Sequence, residues 1–241
     1  MRASTRAIIE ESWDRTLVVG HRGAAAYQTE NTLPSFEEGI ASGADAVECD
    51  VHLSVDGEIV VIHDATLERT TSLKGKVAET TFATMNRAGV PSLTELTTLT
   101  KDRTVLVIEI KEGEKVESMV VDHIRQERMG DQTILFSFHC DRLAKVEAIA
   151  PELTSVWLLS AADAAKGMPA VFNRLAEIHA NGVGFDYRVV TDRWVEEAHR
   201  RKLPVFVWTV PPGPEVDRLN EMGVNFIITN HPRDVLAQLQ R

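Results

Sequence analysis

Apolar runs rich in β-branched residues recur along the chain, and each is followed by a more polar segment with the spacing of an amphipathic helix. Eight of these runs are predicted strands, at residues 16–20, 45–51, 104–110, 133–138, 154–160, 182–186, 204–210 and 224–229. Strands that alternate with helices pair in parallel through right-handed crossovers. Eight such units with no linker between them favour closure into a single (β/α)8 TIM barrel over an open doubly wound sheet.

The helical segments carry sequence signals at their starts. Pro34 suits the first turn of a helix, and Pro232 opens the last helical segment. Ser92 and Glu95 have the spacing of a capping box, in which the side chain of each residue bonds the backbone amide of the other. Asp141 is predicted to open the helix after the fourth strand. These signals support helices between consecutive strands.

One excursion interrupts the alternation of strands and helices. Residues 50–64 form two alternating runs around Asp56-Gly57, a pair that favours a tight hairpin turn. This β-hairpin is predicted to extend the second strand out of the barrel and to return. A short insertion follows it, with a helix near 81–88, before the third barrel strand begins.

Length, composition and charge limit the possible functions. The chain has 241 residues, of which 44% are hydrophobic and 26% charged, which is enough for one sizeable core. Residues 1–241 are therefore predicted to form one TIM-barrel domain. The net charge of −10 disfavours nucleic acid or an anionic membrane as the main partner. An anionic small molecule remains compatible, because a site can be locally positive, and the sequence indicates no oligomeric state.

Cysteine content and the N-terminal sequence indicate the compartment. The two cysteines, Cys49 and Cys140, suit a reducing environment in which both remain thiols. The N-terminus shows no secretory signal, and no apolar run reaches the ~18 residues that span a bilayer. We therefore expect a cytoplasmic protein without stable membrane insertion.

Three acidic residues are predicted at the carboxyl ends of the strands, where a (β/α)8 barrel places its chemistry. Glu48 and Asp50 are two positions apart on the second strand, so their side chains face the same way, and Glu109 lies near the end of the third barrel strand. Three carboxylates at one mouth repel one another unless a cation lies among them. Oxygen ligands favour Mg²⁺ or Ca²⁺ over zinc, so we predict one divalent cation. The alternative is three rim carboxylates paired with arginine and lysine.

Two histidines and two basic residues are predicted beside these carboxylates. His21 and His63 each end an apolar run and precede a turn. Histidine exchanges protons near neutral pH, so the two could act as general base and general acid, or each could be a hydrogen-bonded residue at a strand end. Arg22 and Lys111 could bind phosphate oxygens or balance the acidic charge. Together these groups suit an anionic phosphoester as substrate.

The stretch from residue 21 to residue 71 resembles the glycerophosphodiester phosphodiesterases. Its matching elements are His21-Arg22-Gly23, Glu30-Asn31-Thr32, Ala44-Asp45, Glu48, Asp50, Asp56-Gly57, His63-Asp64, Leu67 and Arg69-Thr70-Thr71. The later matches, in the same order as in the family, are Glu109-Ile110-Lys111, Ser137-Phe138, Trp208-Thr209, Thr229 and Pro232. The early block is specific, because many spaced residues agree at once.

This resemblance implies a TIM-barrel enzyme that hydrolyses glycerophosphodiesters to sn-glycerol 3-phosphate and an alcohol. The implied roles are metal ligation by Glu48, Asp50 and Glu109, acid–base catalysis by His21 and His63, phosphate binding by Arg22 and Lys111, and lining of the mouth by Phe138 and Trp208. The expected partner is thus a small-molecule glycerophosphodiester.

Several neighbouring residues are expected to support this chemistry. Asn31 or Thr32 suits the cap of the first barrel helix, and Glu30 could orient Arg22 or His21. His52 is predicted to lie on the hairpin, and a direct role for it is not favoured.

The chain departs from the family pattern at three places. Asn230 follows the last strand where the family usually has aspartate. Cys49 stands between two of the carboxylates, and its side chain is predicted to face away from the mouth. The loop between His63 and residue 104 is shorter than in many relatives, which concerns the choice of substrate rather than the chemistry.

Three other functions are weighed against this one. A barrel phosphodiesterase for lysophospholipid or sphingolipid head groups, of phospholipase D type, needs an apolar rim, and aromatics make up only 6% of this chain. A catalytically silent phosphate-binding barrel needs no pair of histidines. A glycoside hydrolase could use two carboxylates but would not need Arg22 and Lys111 beside them.

Overall fold

A closed ring of eight parallel strands forms the centre of the computed structural model, which describes residues 4–111 and 113–240. The strands are β1 (Leu17–Gly20), β2 (Ala46–Leu53), β3 (Ile59–Val61), β4 (Val105–Ile110), β5 (Thr133–Ser137), β6 (Thr154–Leu158), β7 (Gly182–Asp186), β8 (Val205–Trp208) and β9 (Phe226–Thr229). The ring follows chain order without β3, and it closes where β1 pairs in parallel with both β2 and β9. The predicted (β/α)8 TIM barrel and its eight strands are confirmed.

One helix precedes the first strand, and the others come after it on the outside of the ring. They are α1 (Thr5–Glu11), α2 (Leu33–Ala41), α3 (Phe82–Arg87), α4 (Leu93–Thr100), α5 (Val116–Glu127), α6 (Cys140–Ile149), α7 (Ala161–Ala164), α8 (Met168–Glu177), α9 (Asp192–Arg200), α10 (Pro214–Glu221) and α11 (Pro232–Leu239). The predicted capping box is present in α4, where Glu95 donates its amide to Ser92 Oγ at 3.1 Å and accepts the Ser92 amide at 2.8 Å. Helix α6 begins at Cys140, one residue before the predicted start. Among the described residues, no helix has the length and apolar character needed to cross a membrane.

The predicted hairpin and insertion are also present. The outer end of β2 pairs antiparallel with β3, from Val51 opposite Val61 to Leu53 opposite Ile59. The insertion that follows folds against this hairpin in a buried apolar cluster of Val60, Ile62, Leu67, Val77, Met85 and Val90. It therefore forms a small unit on the side of the barrel.

Alternation along β2 explains how the sequence builds both a core and a site. Ala46 lies in the cluster that fills the barrel, while Val47, Cys49 and Val51 pack outward against the helices. Cys49 therefore faces away from the mouth, as predicted. The inward positions after Ala46 are Glu48 and Asp50.

The barrel interior is closed below the mouth. Phe206 and Phe226 stack inside it with ring centroids 4.2 Å apart, and Phe136 meets Phe206 edge-on at 5.2 Å. At the amino end, Ile8 and Ile9 of α1 pack against the same cluster. The carboxyl end is thus where the inward-facing polar side chains gather.

Candidate active site

Three buried carboxylates converge at the carboxyl-terminal mouth of the barrel. Glu48 and Asp50 come from β2 and Glu109 from β4, where Asp50 and Glu109 are paired neighbours. One oxygen from each of the three side chains lies within 4.8 Å of the others. All three side chains are buried, which makes their mutual repulsion costly without positive charge nearby.

Arg22 and Lys111 supply that positive charge. Lys111 Nζ lies 2.6 Å from Glu109 Oε1 and 3.0 Å from Asp50 Oδ1. Arg22 Nε lies 3.3 Å from Asp50 Oδ2, and the Arg22 backbone amide donates to Glu48 Oε2 at 2.9 Å. Both predicted phosphate ligands therefore contact the acidic cluster directly.

The turn after β1 is built so that Arg22 can reach the cluster. Arg22 has φ 51° and Gly23 has φ 88°, both in the left-handed region. A Cβ atom on Gly20 would lie 2.1 Å from the Gly23 carbonyl oxygen, so glycine is needed for this close approach. The sharp turn aims the Arg22 amide at Glu48 while its side chain extends to Asp50.

Burial and neighbouring charges raise the pKa values of two of the three acids and lower that of the third. Burial, together with the charges of Asp50 and Glu109, raises the pKa of Glu48 well above its usual value. Burial and the Asp50 charge also raise the pKa of Glu109, to about 7. Burial alone would raise the pKa of Asp50, but Lys111 and Arg22 outweigh it and lower that pKa. Without a metal, the cluster therefore holds protons near neutral pH.

Metal affinity should consequently rise with pH. A divalent ion needs deprotonated ligands, and the raised pKa of Glu109 means that this carboxyl loses its proton as the pH passes through about 7. We expect calorimetric titration with Mg²⁺ or Ca²⁺ to show tighter binding at pH 8 than at pH 6. Proton release should appear as a binding enthalpy that changes with the ionisation enthalpy of the buffer. The Glu109→Gln variant should bind more weakly and with a smaller pH slope. Equal affinity of the unmodified protein at both pH values would contradict this expectation.

His21 is held by Asn230, the residue after the last strand at which the chain departs from the family pattern. His21 Nδ1 lies 2.6 Å from Asn230 Oδ1. Because an amide oxygen only accepts, Nδ1 carries the hydrogen and Nε2 is left unprotonated, 3.9 Å from Glu48 Oε2. Burial and the neighbouring Arg22 charge lower the pKa of His21 to about 4. The bond to Asn230 thus leaves Nε2 of His21 as a hydrogen-bond acceptor. Because its pKa is about 4, the His21 ring is neutral at pH 7.

His63 is held differently, by a carboxylate and by the hairpin. His63 Nδ1 lies 2.7 Å from Asp64 Oδ1, and His52 Nε2 contacts the His63 carbonyl oxygen at 3.0 Å. A hydrogen bond from Arg69, together with the one from His63, lowers the pKa of Asp64 to about 2. Asp64 is therefore an anion, and its carboxylate holds Nδ1 of the His63 ring. His52 supports the backbone here.

One cavity of about 150 Å³ joins most of the predicted site residues. Its polar wall is formed by His21, Arg22, Glu48, His63, Glu109 and Lys111, and its apolar wall by Phe136, Phe138, Leu158, Trp208 and Ile228. Phe138 and Trp208 meet edge-to-face at 5.2 Å. Asp50 lies beneath this wall and is fully buried, so it reaches the cavity only through its contacts with Arg22 and Lys111.

Residues that the sequence assigned to support have specific contacts. Thr32 caps α2 and Glu30 Oε1 accepts from Arg22 Nη1 at 2.6 Å, both as expected. Asn31 does not cap; its amide donates to Asp50 Oδ2 at 2.8 Å and accepts the Asp50 backbone amide. Nothing in the sequence pointed to this contact, which depends on the left-handed backbone of Asn31, with φ 57°, a conformation that asparagine tolerates.

A barrel mouth that joins an acidic cluster to two histidines, an arginine and a lysine defines an enzyme suited to phosphoric esters. Comparison with known proteins agrees with this, since residues 21–234 match the Glycerophosphoryl diester phosphodiesterase family. The chain belongs to this family and is a phosphoric diester hydrolase.

Individual relatives are similar over nearly the whole chain. The glycerophosphodiester phosphodiesterase of Caldanaerobacter subterraneus subsp. tengcongensis is 30% identical and covers 94% of this chain and 99% of its own. The crystal structure of a glycerophosphodiester phosphodiesterase from Thermotoga maritima superimposes with a TM-score of 0.81 at 26% identity, covering 94% of this chain and 98% of its own. A phosphodiesterase of Oleispira antarctica, solved with the product sn-glycerol-3-phosphate, has a TM-score of 0.87 at 24% identity, covers 95% and 98%, and supports the fold.

Proposed function

We propose that this enzyme hydrolyses glycerophosphodiesters to sn-glycerol 3-phosphate and an alcohol, with a divalent cation and a pair of histidines. The observation that carries the proposal is one cavity in which His21, His63, Glu48, Glu109 and two cationic side chains meet opposite an apolar wall. The family match supports the reaction class, and the cavity supports a small-molecule substrate.

The acidic cluster fits a hard divalent cation. Its donors are carboxylate oxygens from Glu48, Asp50 and Glu109 only, and they lie within 4.8 Å of one another. This ligand set suits Mg²⁺ or Ca²⁺. A bound ion would stabilise negative charge on the phosphoryl oxygens and on the attacking oxygen.

The two histidines are suited to opposite proton transfers. His21 offers an unprotonated Nε2, fixed by the bond from Nδ1 to Asn230, so we assign it to accept the proton of the attacking hydroxyl. His63 is paired at Nδ1 with Asp64, so we assign it to donate a proton from Nε2 to the leaving oxygen as the phosphorus–oxygen bond breaks. The attacking group is either a water molecule, which gives sn-glycerol 3-phosphate directly, or the glycerol 2-hydroxyl, which gives a cyclic phosphodiester that a water molecule then opens.

The remaining lining residues would hold the substrate. Arg22 and Lys111 would bind the phosphate oxygens, and Phe138 and Trp208 would pack against the glycerol. Hydrolysis of glycerophosphocholine tests the proposal, with sn-glycerol 3-phosphate measured by a coupled dehydrogenase assay in the presence of Mg²⁺ or Ca²⁺. Steady product formation is expected. Tight binding of sn-glycerol 3-phosphate without any turnover would instead indicate a silent phosphate-binding barrel.

The scattered positions of the exposed apolar residues favour a soluble diester over a lipid aggregate as the substrate. The large apolar side chains that are exposed among the described residues are Trp13, Val55, Ile149 and Val189. They belong to four separate segments, and none lines the cavity. A lysophospholipid or sphingolipid enzyme would need such residues grouped at the mouth.

The enzyme should accept glycerophosphodiesters with different leaving alcohols. The groove that continues from the cavity past His63 is lined also by His52, Asp64, Ala65 and His139, and Asp64 is already bonded to Arg69 and His63. Glu109, which also lines the groove, is paired with Lys111, so among the described residues none of the groove's carboxylates is free to bind a cationic head group. We expect the kcat/KM values for glycerophosphocholine, glycerophosphoethanolamine and glycerophosphoglycerol to agree within about tenfold, or ~1.4 kcal/mol. A thousandfold preference for one alcohol would show that this view of the groove is wrong.

A further inference from the structure

Arg69, in the insertion after the hairpin, binds two carboxylates at once. Its Nε and Nη2 atoms donate to Asp64 at 2.5 and 3.1 Å. Its Nη1 and Nη2 atoms donate to Glu30 at 2.7 Å each. One planar guanidinium thus fixes the orientation of both acids, which a single ammonium group could not do.

Each of these two carboxylates contacts a different functional group of the site. Asp64 holds His63, with 2.7 Å between Oδ1 and Nδ1. Glu30 holds Arg22, with 2.6 Å between Oε1 and Nη1. Arg69 itself does not line the cavity, so its contribution would be made through Asp64 and Glu30.

The segment that carries Arg69 is anchored and can act as a fixed support. Leu67 is fully buried in the apolar cluster of the insertion, and its amide donates to the Gly75 carbonyl at 3.0 Å. Thr71 Oγ1 donates to the Leu67 carbonyl at 2.7 Å. The backbone is therefore fixed by packing and hydrogen bonds on both sides of residue 69, and the Arg69 side chain, though 46% exposed, extends from a fixed point to Asp64 and Glu30.

We propose that Arg69 is a positioning residue that aligns the proton donor with the bound phosphate. By fixing Asp64 and Glu30 together, it sets the orientation of the His63 ring relative to the Arg22 side chain. The inference rests on the proposed function, in which His63 protonates the leaving oxygen and Arg22 binds the phosphoryl group. The Arg69-Thr70-Thr71 motif thereby gains a role in catalysis without touching the substrate.

The test compares two leaving groups. An alkoxide such as that of choline needs a proton as it departs, whereas p-nitrophenolate does not. Arg69→Ala should therefore lower kcat/KM for glycerophosphocholine about 10- to 100-fold more than for the p-nitrophenyl ester of glycerol phosphate. Losses common to both substrates cancel in this ratio. Arg69→Lys should behave like the alanine variant, because lysine cannot bridge both acids with paired bonds.

Two further variants make the comparison specific. Arg103→Ala removes another bidentate arginine–carboxylate pair, with Glu37 at 2.7 and 2.8 Å, at the opposite end of the barrel, and should leave the ratio unchanged. Asp64→Ala should reproduce the shift of Arg69→Ala. Equal losses on both substrates in folded Arg69 and Asp64 variants, or no loss at all, would overturn the inference. If the unmodified enzyme cleaved neither glycerophosphocholine nor the p-nitrophenyl ester, the proposed function would be overturned instead.

Discussion

Chelation with EDTA should abolish hydrolysis of glycerophosphodiesters, and added Mg²⁺ or Ca²⁺ should restore it. Alanine at Glu48, at Asp50 or at Glu109 should lower kcat/KM by at least about 10³-fold, or ~4 kcal/mol, because each change removes one of the carboxylates proposed to hold the cation. The measurement is initial rate against metal concentration for each variant. Full activity of Glu109→Ala under chelation would refute the assignment of the metal site.

A thermal measurement separates loss of metal from loss of fold. An ion present at 100 times its Kd stabilises the folded state by about 2.7 kcal/mol, which moves the Tm of a chain of this size by about 5–10 °C. The ligand variants should lose this shift. Glu117→Gln is the matched control, since Glu117 is equally buried but is held by Arg142 and Lys145 outside the cavity, and this variant should keep the shift.

The parts of the fold that follow from periodicity were predictable. Each barrel strand is a short β-branched run, and alternation placed Glu48 and Asp50 inside while Cys49 went outside. The Asp56-Gly57 pair marked the hairpin turn, where Gly57 has φ 81°. These features depend on neighbours within a few residues, so the sequence alone carries them.

The supporting contacts of the site were not predictable in the same way. Arg69 meets Glu30, a partner 39 positions away, only because the insertion folds against the hairpin. Asn31 bonds Asp50 because the chain turns through the left-handed region just before α2. Lys111 was expected to bind phosphate or to balance the acidic charge, and the structure places its ammonium between Asp50 and Glu109, a position that the sequence pattern did not specify. Such pairings follow from loop geometry, on which hydrophobic pattern gives no information.

Alanine at His21 or His63 should lower kcat by about 10²–10⁴-fold while leaving sn-glycerol 3-phosphate binding nearly intact, because in the proposed mechanism each ring moves a proton rather than holding the phosphate. His123→Ala is the control, since His123 lies on α5 with its Nε2 3.1 Å from Thr97 Oγ1, and it should retain full activity. Rates and product affinity, measured by single-turnover kinetics and calorimetry, separate the two effects.

The double variant gives the more informative result. If His21 and His63 transfer protons in one concerted step, removing the second histidine should cost much less than removing the first, so that the two losses do not multiply. The p-nitrophenyl ester distinguishes their roles: it should largely rescue His63→Ala, whose missing proton that leaving group does not need, but not His21→Ala. Rescue of His21→Ala alone would reverse the assignment and rescue of both variants would contradict it, because a base, assigned here to Nε2 of His21, is required whatever group departs.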